Sequence, residues 1–309
     1  MAAVDADRLA EWVGDGCERA VSLVADLDDD QMAGPMLPTV NPSIWEIGHL
    51  AWFQEKFVLR QACGHPPILA NGDALYDSGA IPHDTRWSLR LPSREQTVQY
   101  MRTVADRVAT AVAKLDGTDV VRHFARYTVH HYDTHAEALT YTRQTLGFPA
   151  PSAVGGSNVQ APAGAQAGAL PGDAKLGGGR FVLGAQLADP FVYDNEKWAH
   201  LVEVAPFAMA RAPVSQAEFA AFVDADGYSD APLWSDGGAW LRASAAGCPR
   251  YWRRGPDGGW QRRQFFGSRK VLRGGAWATR GRYVRNTMRN YFTPERRDVL
   301  AGFRTCAAD

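Results

Sequence analysis

The sequence Asn41–Gln61, NPSIWEIGHLAWFQEKFVLRQ, sets the architecture of the N-terminal half of the chain. Asn41 followed by Pro42 predicts a helix start, because asparagine caps helix ends and proline fits the first helical position. The stretch from Ser43 onward then places apolar side chains at Ile44, Ile47, Ala51, Val58 and Leu59. We therefore expect one helix through Gln61, with His49 on it.

Stretches on both sides of this segment show a similar pattern. Residues 7–27 carry apolar side chains mainly three and four positions apart, which is typical of a helix with one buried face. Residues 64–92 are rich in Gly, Pro and Asp and predict a long ordered connection. Ser93 and Gln96 form a capping-box pattern, which predicts a helix from there to Lys114.

A fourth helix is predicted over Phe124–Gly147, because Gly147 with Pro149 just beyond it is a common helix end. Four helices with one long connection favour an antiparallel four-helix bundle over residues 1–150. Residues 151–179 consist mostly of Ala, Gly, Pro, Ser and Gln and predict a flexible linker. Residues 180–309 combine short apolar segments, turns and one helix near Ser215–Asp224, which predicts a second domain of mixed and irregular structure.

Composition narrows the class of protein. The 309 residues carry 33 Lys and Arg against 34 Asp and Glu, so a generally basic nucleic-acid-binding protein is not expected. No apolar run approaches the roughly 18–20 residues that span a bilayer, so no membrane partner is expected either. The first residues carry acids before any apolar segment, unlike a secretory signal. The four cysteines are widely separated, which together with that start predicts a reduced cytoplasmic protein.

Three histidines form the clearest chemical pattern. His131 and His135 are four residues apart and share one helix face, while His49 lies on another helix of the predicted bundle. Facing helices of a bundle commonly assemble metal sites, and neutral imidazoles suit Fe, Zn, Cu or Ni. From the residues alone, the alternative of a chance histidine pair, with His49 as a satisfied side chain of the core, stays open. The neighbouring His130 points about 100° away and is expected at the surface.

Two stretches of the N-terminal half, NPSIWEIGHLAWFQE at Asn41–Glu55 and HYDTHAEAL at His131–Leu139, resemble the iron-binding motifs of the DinB-like domain in ergothioneine sulfoxide synthases. The second half resembles the formylglycine-generating-enzyme-like (sulfatase-modifying-factor, C-type-lectin-like) domain fused to it. That likeness rests on GGRFVLG at Gly178–Gly184, YDNEK at Tyr193–Lys197, LRGGAW at Leu272–Trp277 and GFR at Gly302–Arg304. The fold class implied is a DinB-like four-helix bundle followed by an irregular C-type-lectin-like domain.

The resemblance implies a mononuclear non-haem Fe(II) enzyme with O2 as co-substrate. Its metal ligands would be His49, His131 and His135. Its small-molecule substrates would be hercynine and a sulfur or selenium compound, joined at the imidazole C2 of hercynine. Three neutral ligands leave the charge of the ion uncompensated, so a thiolate or selenolate would be attracted to an open position.

The resemblance also implies residues that bind the substrates. Asn290 matches a residue expected to contact hercynine, and Arg296 matches an arginine that holds the donor in relatives that use gamma-glutamylcysteine. Phe292 stands where those relatives have an aspartate, and Thr134 replaces a glutamine. The aromatic side chain in place of an acid weakens recognition of an ammonium-bearing donor.

The loop LYDSGAIPHDTRW, Leu75–Trp87, looks most like the selenoneine synthase branch, whose donor is a selenosugar. Carbon–selenium bond formation is therefore favoured over carbon–sulfur bond formation with a cysteine-derived thiol. Arg86 and Arg90, in the same long connection, are expected to anchor the donor. The pattern assigns no residue to proton transfer and no oligomeric state.

Alternatives of other classes remain open. A DinB-like thiol transferase would hold Zn or Ni in the same three histidines, and an inactive binding module would use the inherited scaffold without chemistry. Copper-dependent formylglycine formation needs a close pair of cysteines. No cysteine lies between Cys248 and Cys306, so this activity is a poor alternative. Arginines between Arg269 and Arg297 alternate with Gly and aromatic residues, so we expect internal ion pairs there rather than a nucleic-acid partner.

The second domain is shorter than the family pattern. Relatives have over a hundred residues between a Trp- and Arg-rich stretch and the LRGGAW motif, whereas here that stretch, Trp260–Phe266, runs directly into Gly267. We expect residues to be omitted near this junction, and the alternative is a genuine deletion in an inactive protein.

Overall fold

The computed structural model describes residues 4–114, 119–151, 172–234, 246–262, 278–285, 287–288, 292, 296 and 298–308. The chain divides into two compact units. The first unit comprises residues 1–157 with two later segments, 188–193 and 278–283, and the second unit comprises the remainder.

The first unit is helical, as predicted. Its helices are α1 (Ala6–Ser22), α2 (Asp29–Ala33), α3 (Ser43–Gln54), a π-helix (Glu55–Ala62), α4 (Gly72–Tyr76), a 3₁₀ helix (His83–Ser88), α5 (Arg94–Lys114) and α6 (Asp119–Leu146). The four longest, α1, α3, α5 and α6, pack against one another. No helix among the residues described is long and apolar enough to cross a membrane.

Local sequence explains where most of these helices begin and end. Ser93 and Gln96 exchange side-chain-to-backbone hydrogen bonds of 3.2 and 3.0 Å ahead of α5, so the predicted capping box is confirmed. Gly147 has φ of +75° after α6, which is a conformation that favours glycine, and it ends this helix as predicted. Helix α6 begins at Asp119, earlier than the Phe124 expected from the pattern.

Helix α3 differs from the prediction at both ends. Pro42 is the N-cap, and no side chain caps the helix, because the amide of Asn41 bonds other side chains instead. The predicted single helix through Gln61 changes to a π-helix after Gln54. Glu55 begins this wider helix and is buried, and its carboxylate accepts hydrogen bonds from Ile68 N and the Tyr100 hydroxyl. These bonds hold the first turn of the π-helix against α5 and the following loop.

The core of the first unit is formed by the apolar faces of its helices. Side chains that are at most 2% exposed come from α1 (Leu9 and Val13), α3 (Ile47 and Leu50), α5 (Met101 and Val104) and α6 (Val129 and Leu139). Burying a large aliphatic side chain contributes about 1.5–3 kcal/mol, so this shared core is the main stabilisation of the unit that carries the histidines.

The described part of the second unit contains three small antiparallel sheets. One has the order β1 (Asp173–Leu176), β4 (Phe207–Ala210), β7 (Cys306–Ala308), another pairs β2 (Gly179–Leu183) with β3 (His200–Val204), and the third pairs β5 (Trp252–Arg254) with β6 (Trp260–Arg262). Helix α7 (Gln216–Asp224) begins at a Ser215–Glu218 capping box, close to the start predicted at Ser215. The expected fold class, a helical bundle followed by a mixed domain with small sheets, is confirmed.

The stretch predicted as a linker is not all linker. Residues 173–176 form β1 and pair with β4 from Asp173↔Ala210 to Leu176↔Phe207, and β2 begins at Gly179. The hydrogen bonds between neighbouring strands join backbone groups. The polar strand β1 can therefore pair with β4 although most of its side chains are exposed. Residues 152–171 of the predicted linker and the suspected break at Phe266/Gly267 lie outside the residues described.

Candidate metal centre

The three histidines predicted to bind a metal come together in the first unit. His49 lies on α3, and His131 and His135 lie one turn apart on α6. One ring nitrogen of each lies within 4.8 Å of those of the other two. The Nε2 atoms of His131 and His135 are 3.0 Å apart. Two nitrogens about 2.1 Å from one ion, with bonds at roughly right angles, would have about this separation, so the group fits a metal ion.

His49 is held by its other ring nitrogen. Nδ1 lies 2.8 Å from the carbonyl oxygen of Tyr76, to which it donates, so Nε2 has no proton and can bind a metal. The imidazole also stacks on Trp45, one turn earlier on α3, with ring centres 4.9 Å apart. Both contacts fix the direction in which the ring points.

Tyr76 can approach His49 because residue 48 is glycine. A Cβ at Gly48 would lie 2.4–2.5 Å from ring and hydroxyl atoms of Tyr76, which is far inside van der Waals contact. The Tyr76 side chain is fully buried and has little room to move away. Gly48 therefore allows the packing that brings the Tyr76 carbonyl to His49.

His135 is held by a carboxylate. Its Nδ1 lies 2.5 Å from Oε1 of Glu46, which is buried in the first turn of α3. The other oxygen of Glu46 accepts a hydrogen bond of 2.6 Å from the Asn41 amide. Burial alone would raise the pKa of Glu46, but the interactions with His135 and Asn41 hold this pKa below its usual value. A carboxylate on Nδ1 leaves Nε2 of His135 for the metal and makes the ligand more basic.

His131 is oriented by stacking. Its imidazole lies almost parallel to the Phe53 ring, with centres 3.7 Å apart. Its Nδ1 is buried and makes no hydrogen bond among the residues described. The three ligands therefore have three different supports, a backbone carbonyl, a carboxylate and an aromatic ring.

Burial keeps two of these imidazoles neutral. Burial is the main cause that lowers the pKa of His49 to about 4 and the pKa of His131 well below its usual value. The nearby His135 lowers both pKa values further through charge repulsion. A metal binds the neutral imidazole, so both side chains are in their binding form at neutral pH. A divalent ion held only by neutral ligands keeps its full charge and attracts an anionic ligand to its remaining positions.

The predicted substrate residues of the first unit differ in their surroundings. Arg86 donates 2.7 Å to Oδ1 of Asn41, and its guanidinium lies 4.0 Å from the Trp45 ring centre, beside the supports of the histidines. Arg90 is exposed. Thr134 is half-buried, and its hydroxyl donates 3.0 Å to the carbonyl of His130 within α6.

The predicted substrate residues of the second unit are partly described. Arg296 forms a two-bond ion pair with Asp298, at 2.8 and 2.9 Å, and its guanidinium lies 5.2 Å from the ring centre of Phe292. Asp298 is fully buried, so the charge of Arg296 is largely neutralised. Asn290 lies outside the residues described.

The prediction that His130 lies at the surface was wrong. Its side chain is fully buried, and its ring centre lies 5.0 Å from that of Phe191 and 5.5 Å from that of Tyr283. Both aromatic residues belong to the late segments of the first unit. A position about 100° from His131 around the helix suggested exposure. In the structure, segments that are distant in sequence cover α6 at this position.

The groups that support the three predicted metal ligands were not evident from the sequence. Glu46 had a signal, since it is an acid between the apolar residues Trp45 and Ile47, and it lies three positions before His49 on the predicted helix. The sequence indicates a helix cap at Asn41. The Tyr76 contact had no signal, because a backbone carbonyl is present at every residue.

Comparison with known proteins agrees with these two units. The DinB superfamily matches residues 16–146, and the sulfatase-modifying factor enzyme 1-like domain matches residues 159–264. The chain is 33% identical over 255 residues to a protein named hercynine oxygenase from Mycolicibacterium thermoresistibile, which covers 81% of this chain and 55% of that protein. It is 30% identical over 257 residues to a hercynine oxygenase from Mycolicibacterium smegmatis, which covers 82% of this chain and 58% of the relative.

A third hercynine oxygenase, from Mycobacterium tuberculosis, is 33% identical over 244 residues, or 77% of this chain and 55% of the relative. The chain thus spans somewhat more than half the length of these curated relatives. Both domains occur in the order expected from the motifs, and the histidine group lies within the residues matched to the first. The chain belongs to the family in which a DinB superfamily domain is fused to a sulfatase-modifying-factor-like domain.

Proposed function

We propose that this chain is a non-haem Fe(II), O2-dependent enzyme that joins a chalcogen to the imidazole C2 of hercynine. The observation that carries the proposal is the convergence of His49, His131 and His135, each held by a different support. The name hercynine oxygenase, borne by three relatives, supports hercynine as the acceptor.

The three histidines would hold Fe(II) and leave positions for a substrate and O2. Bound iron would supply the electrons that O2 activation requires and bind the chalcogen as an anion. Glu46 and the Tyr76 carbonyl keep His135 and His49 in the tautomer with a bare Nε2, so these two ligands would need no change of tautomer when metal binds. Having both substrates at one ion would replace an encounter of several molecules with a local reaction.

The reaction balances with O2 as the oxidant. Hydrogen leaves C2 of hercynine and the Se–H or S–H group of the donor, and a carbon–chalcogen bond forms. One oxygen atom of O2 leaves with these two hydrogens as water, and the other becomes bound to the chalcogen. No further reductant is needed.

We propose a selenosugar as the donor. Phe292 stands in place of an acid that would hold an ammonium group, and the charge of Arg296 is neutralised by the buried Asp298. Both features favour a donor without ammonium or carboxylate groups over gamma-glutamylcysteine, which carries one ammonium group and two carboxylates. Of the two arginines expected to anchor the donor, Arg90 is exposed and Arg86 is bonded to Asn41, so Arg90 is the stronger candidate.

The test is anaerobic loading with Fe(II), followed by hercynine, O2 and either a selenosugar or gamma-glutamylcysteine, with products identified by mass spectrometry. Product from the selenosugar alone supports the proposal. Product from the cysteine donor alone contradicts selenium but retains the oxygenase. A chain that transfers a thiol with Zn or Ni and without oxygen uptake would be a DinB-like transferase, and a chain that binds substrate without turnover would be a binding module.

A further inference from the structure

A chain of three hydrogen bonds leads from an arginine to a predicted metal ligand. Nη1 of Arg86 donates 2.7 Å to Oδ1 of Asn41, and Nδ2 of Asn41 donates 2.6 Å to Oε2 of Glu46. Oε1 of Glu46 then lies 2.5 Å from Nδ1 of His135. We name these four residues the Arg86–His135 chain.

The chemistry of its members allows only one arrangement of protons. Arginine has donors only, and an ionised carboxylate has acceptors only. Asn41 between them must therefore turn its oxygen to Arg86 and its amide nitrogen to Glu46. Glu46 can then only accept at both oxygens, so the proton between it and His135 lies on Nδ1 of His135. The Arg86–His135 chain thus fixes the metal-binding tautomer of His135 through hydrogen bonds that begin at Arg86.

Arg86 is held firmly enough to act as the fixed end of this chain. A second nitrogen donates 3.3 Å to the carbonyl of Ile81, and the guanidinium lies 4.0 Å from the centre of the Trp45 ring. Trp45 in turn stacks on His49, and its indole nitrogen donates 2.8 Å to the carbonyl of Leu75. The loop that carries Arg86 thus contacts the supports of two ligands.

We infer that Arg86 and Asn41 are positioning residues for His135, acting through Glu46, and that Arg86 serves the metal site rather than the chalcogen donor. This inference rests on the proposed function only in taking His135 as a ligand. The two roles considered for Arg86 predict different results. Loss of an arginine that anchors the donor would change the KM for the donor and leave metal affinity intact.

The first measurement is the tautomer of His135 in the metal-free protein, by long-range ¹H–¹⁵N correlation NMR on histidine-labelled chain. We expect the Nδ1–H tautomer in the wild type and a loss of this preference in Asn41→Asp. That variant keeps nearly the same shape and can still bond Arg86, but it has no donor to hold the Glu46 carboxylate in place against His135. Arg86→Ala is expected to shift the tautomer in the same direction by a smaller amount.

The second measurement is Co(II) affinity, by competition with a chromophoric chelator under anaerobic conditions. Loss of a group that orients a ligand typically lowers metal affinity about 10- to 100-fold, and we expect Asn41→Asp and Arg86→Ala to weaken binding within this range. The double variant should bind no more weakly than Asn41→Asp alone, because both changes break the same chain. Arg107→Ala, which removes an exposed arginine on α5, is the matched control and should bind as the wild type.

Melting temperatures of the metal-free variants separate a local effect from unfolding. Wild-type tautomer and wild-type Co(II) affinity in both variants would overturn the inference, as would an Arg86→Ala variant that changes only the KM for the donor. If the wild-type chain bound no divalent metal, the proposed function would fail, and the tautomer measurement would still decide whether the Arg86–His135 chain exists.

Discussion

In the first unit, apolar side chains of four helices are buried to 0–2% exposure, whereas the strands β2 and β3 of the second unit leave Phe181, Val182 and Leu201 at least half exposed. The described part of the second unit is held by backbone ladders, by aromatic contacts around Phe219 and by buried ion pairs. One of these joins Glu196 to Arg285, with an N–O distance of 2.9 Å and little exposure of either side chain.

This difference indicates why the histidines lie where they do. Ligands must be held within a fraction of an ångström, and side chains packed on helices with locked rotamers provide this rigidity better than exposed strands do. Changes in the first unit should therefore affect both stability and metal binding, while matched changes on the exposed strands should affect neither strongly.

The largest effect is expected when a ligand is removed. His131→Ala should lower the proposed activity by more than about 100-fold, since even groups that only orient ligands contribute about 10–100-fold. Bound iron, measured by elemental analysis after anaerobic loading, should fall in parallel. His123→Ala is the matched control on the same helix, because His123 is exposed there. Equal iron content in the two variants would remove His131 from the ligand set.

Core truncation tests the contrast between the units directly. Met101→Ala, at a fully buried position on α5, should lower the free energy of unfolding by about 2–5 kcal/mol. Leu201→Ala, at a position 60% exposed on β3, should change it by no more than about 0.5 kcal/mol. Urea unfolding followed by circular dichroism measures both. Equal losses would show that the second unit depends on burial as much as the first does.

The stability of the metal-free first unit should depend on pH. Above pH 6.5 His49 is neutral whether the chain is folded or unfolded. As the pH falls from 6.5 to about 4, the unfolded chain binds a proton that the folded chain does not, so folding loses stability. The full loss is roughly 3 kcal/mol, and the lowered pKa values of His131 and Glu46 act in the same direction.

Unfolding of the metal-free protein at several pH values measures this dependence. His49→Gln should flatten it, whereas His65→Gln, at an exposed histidine, should keep the wild-type curve. A wild-type chain with the same stability at pH 7 and pH 4 would contradict the burial of a neutral His49.

Much of the first unit could be predicted from the sequence because its signals are local. The capping box at Ser93 and Gln96 and the glycine end at Gly147 involve residues within a few positions of one another. The pairing of His131 with His135 follows from helical periodicity alone. Each of these features depends on groups that lie close together in the sequence, and the structure keeps all three.

The remainder depended on residues far apart in sequence. Asn41 could have capped α3, but Arg86 and Glu46 bond both ends of its amide. His130 is covered by Phe191 and Tyr283, which no local pattern connects to α6. A strand such as β1 is formed by a partner strand more than by its own side chains, so its composition alone indicated a linker.

The smallest effect, and the most specific, concerns a single methyl group. Gly48→Ala would place a Cβ 2.4–2.5 Å from buried Tyr76 atoms, and overpacking of this kind costs about 1–3 kcal/mol. Alanine is favoured over glycine in a helix by about 1 kcal/mol, so we expect a net loss of stability of only about 1 kcal/mol. Because Tyr76 must shift, its carbonyl should release His49, and Co(II) affinity should fall more than stability does.

Gly247→Ala is the control from the second unit, since a Cβ there would meet nothing within 4 Å. Unfolding and Co(II) competition should both leave this variant at wild-type values. If Gly48→Ala also bound Co(II) as the wild type does, the Tyr76 carbonyl would not be needed to orient His49. The stacking of His49 on Trp45 would then be sufficient to hold the His49 ring. Packing within the helices alone would explain why the predicted metal ligands lie in the first unit.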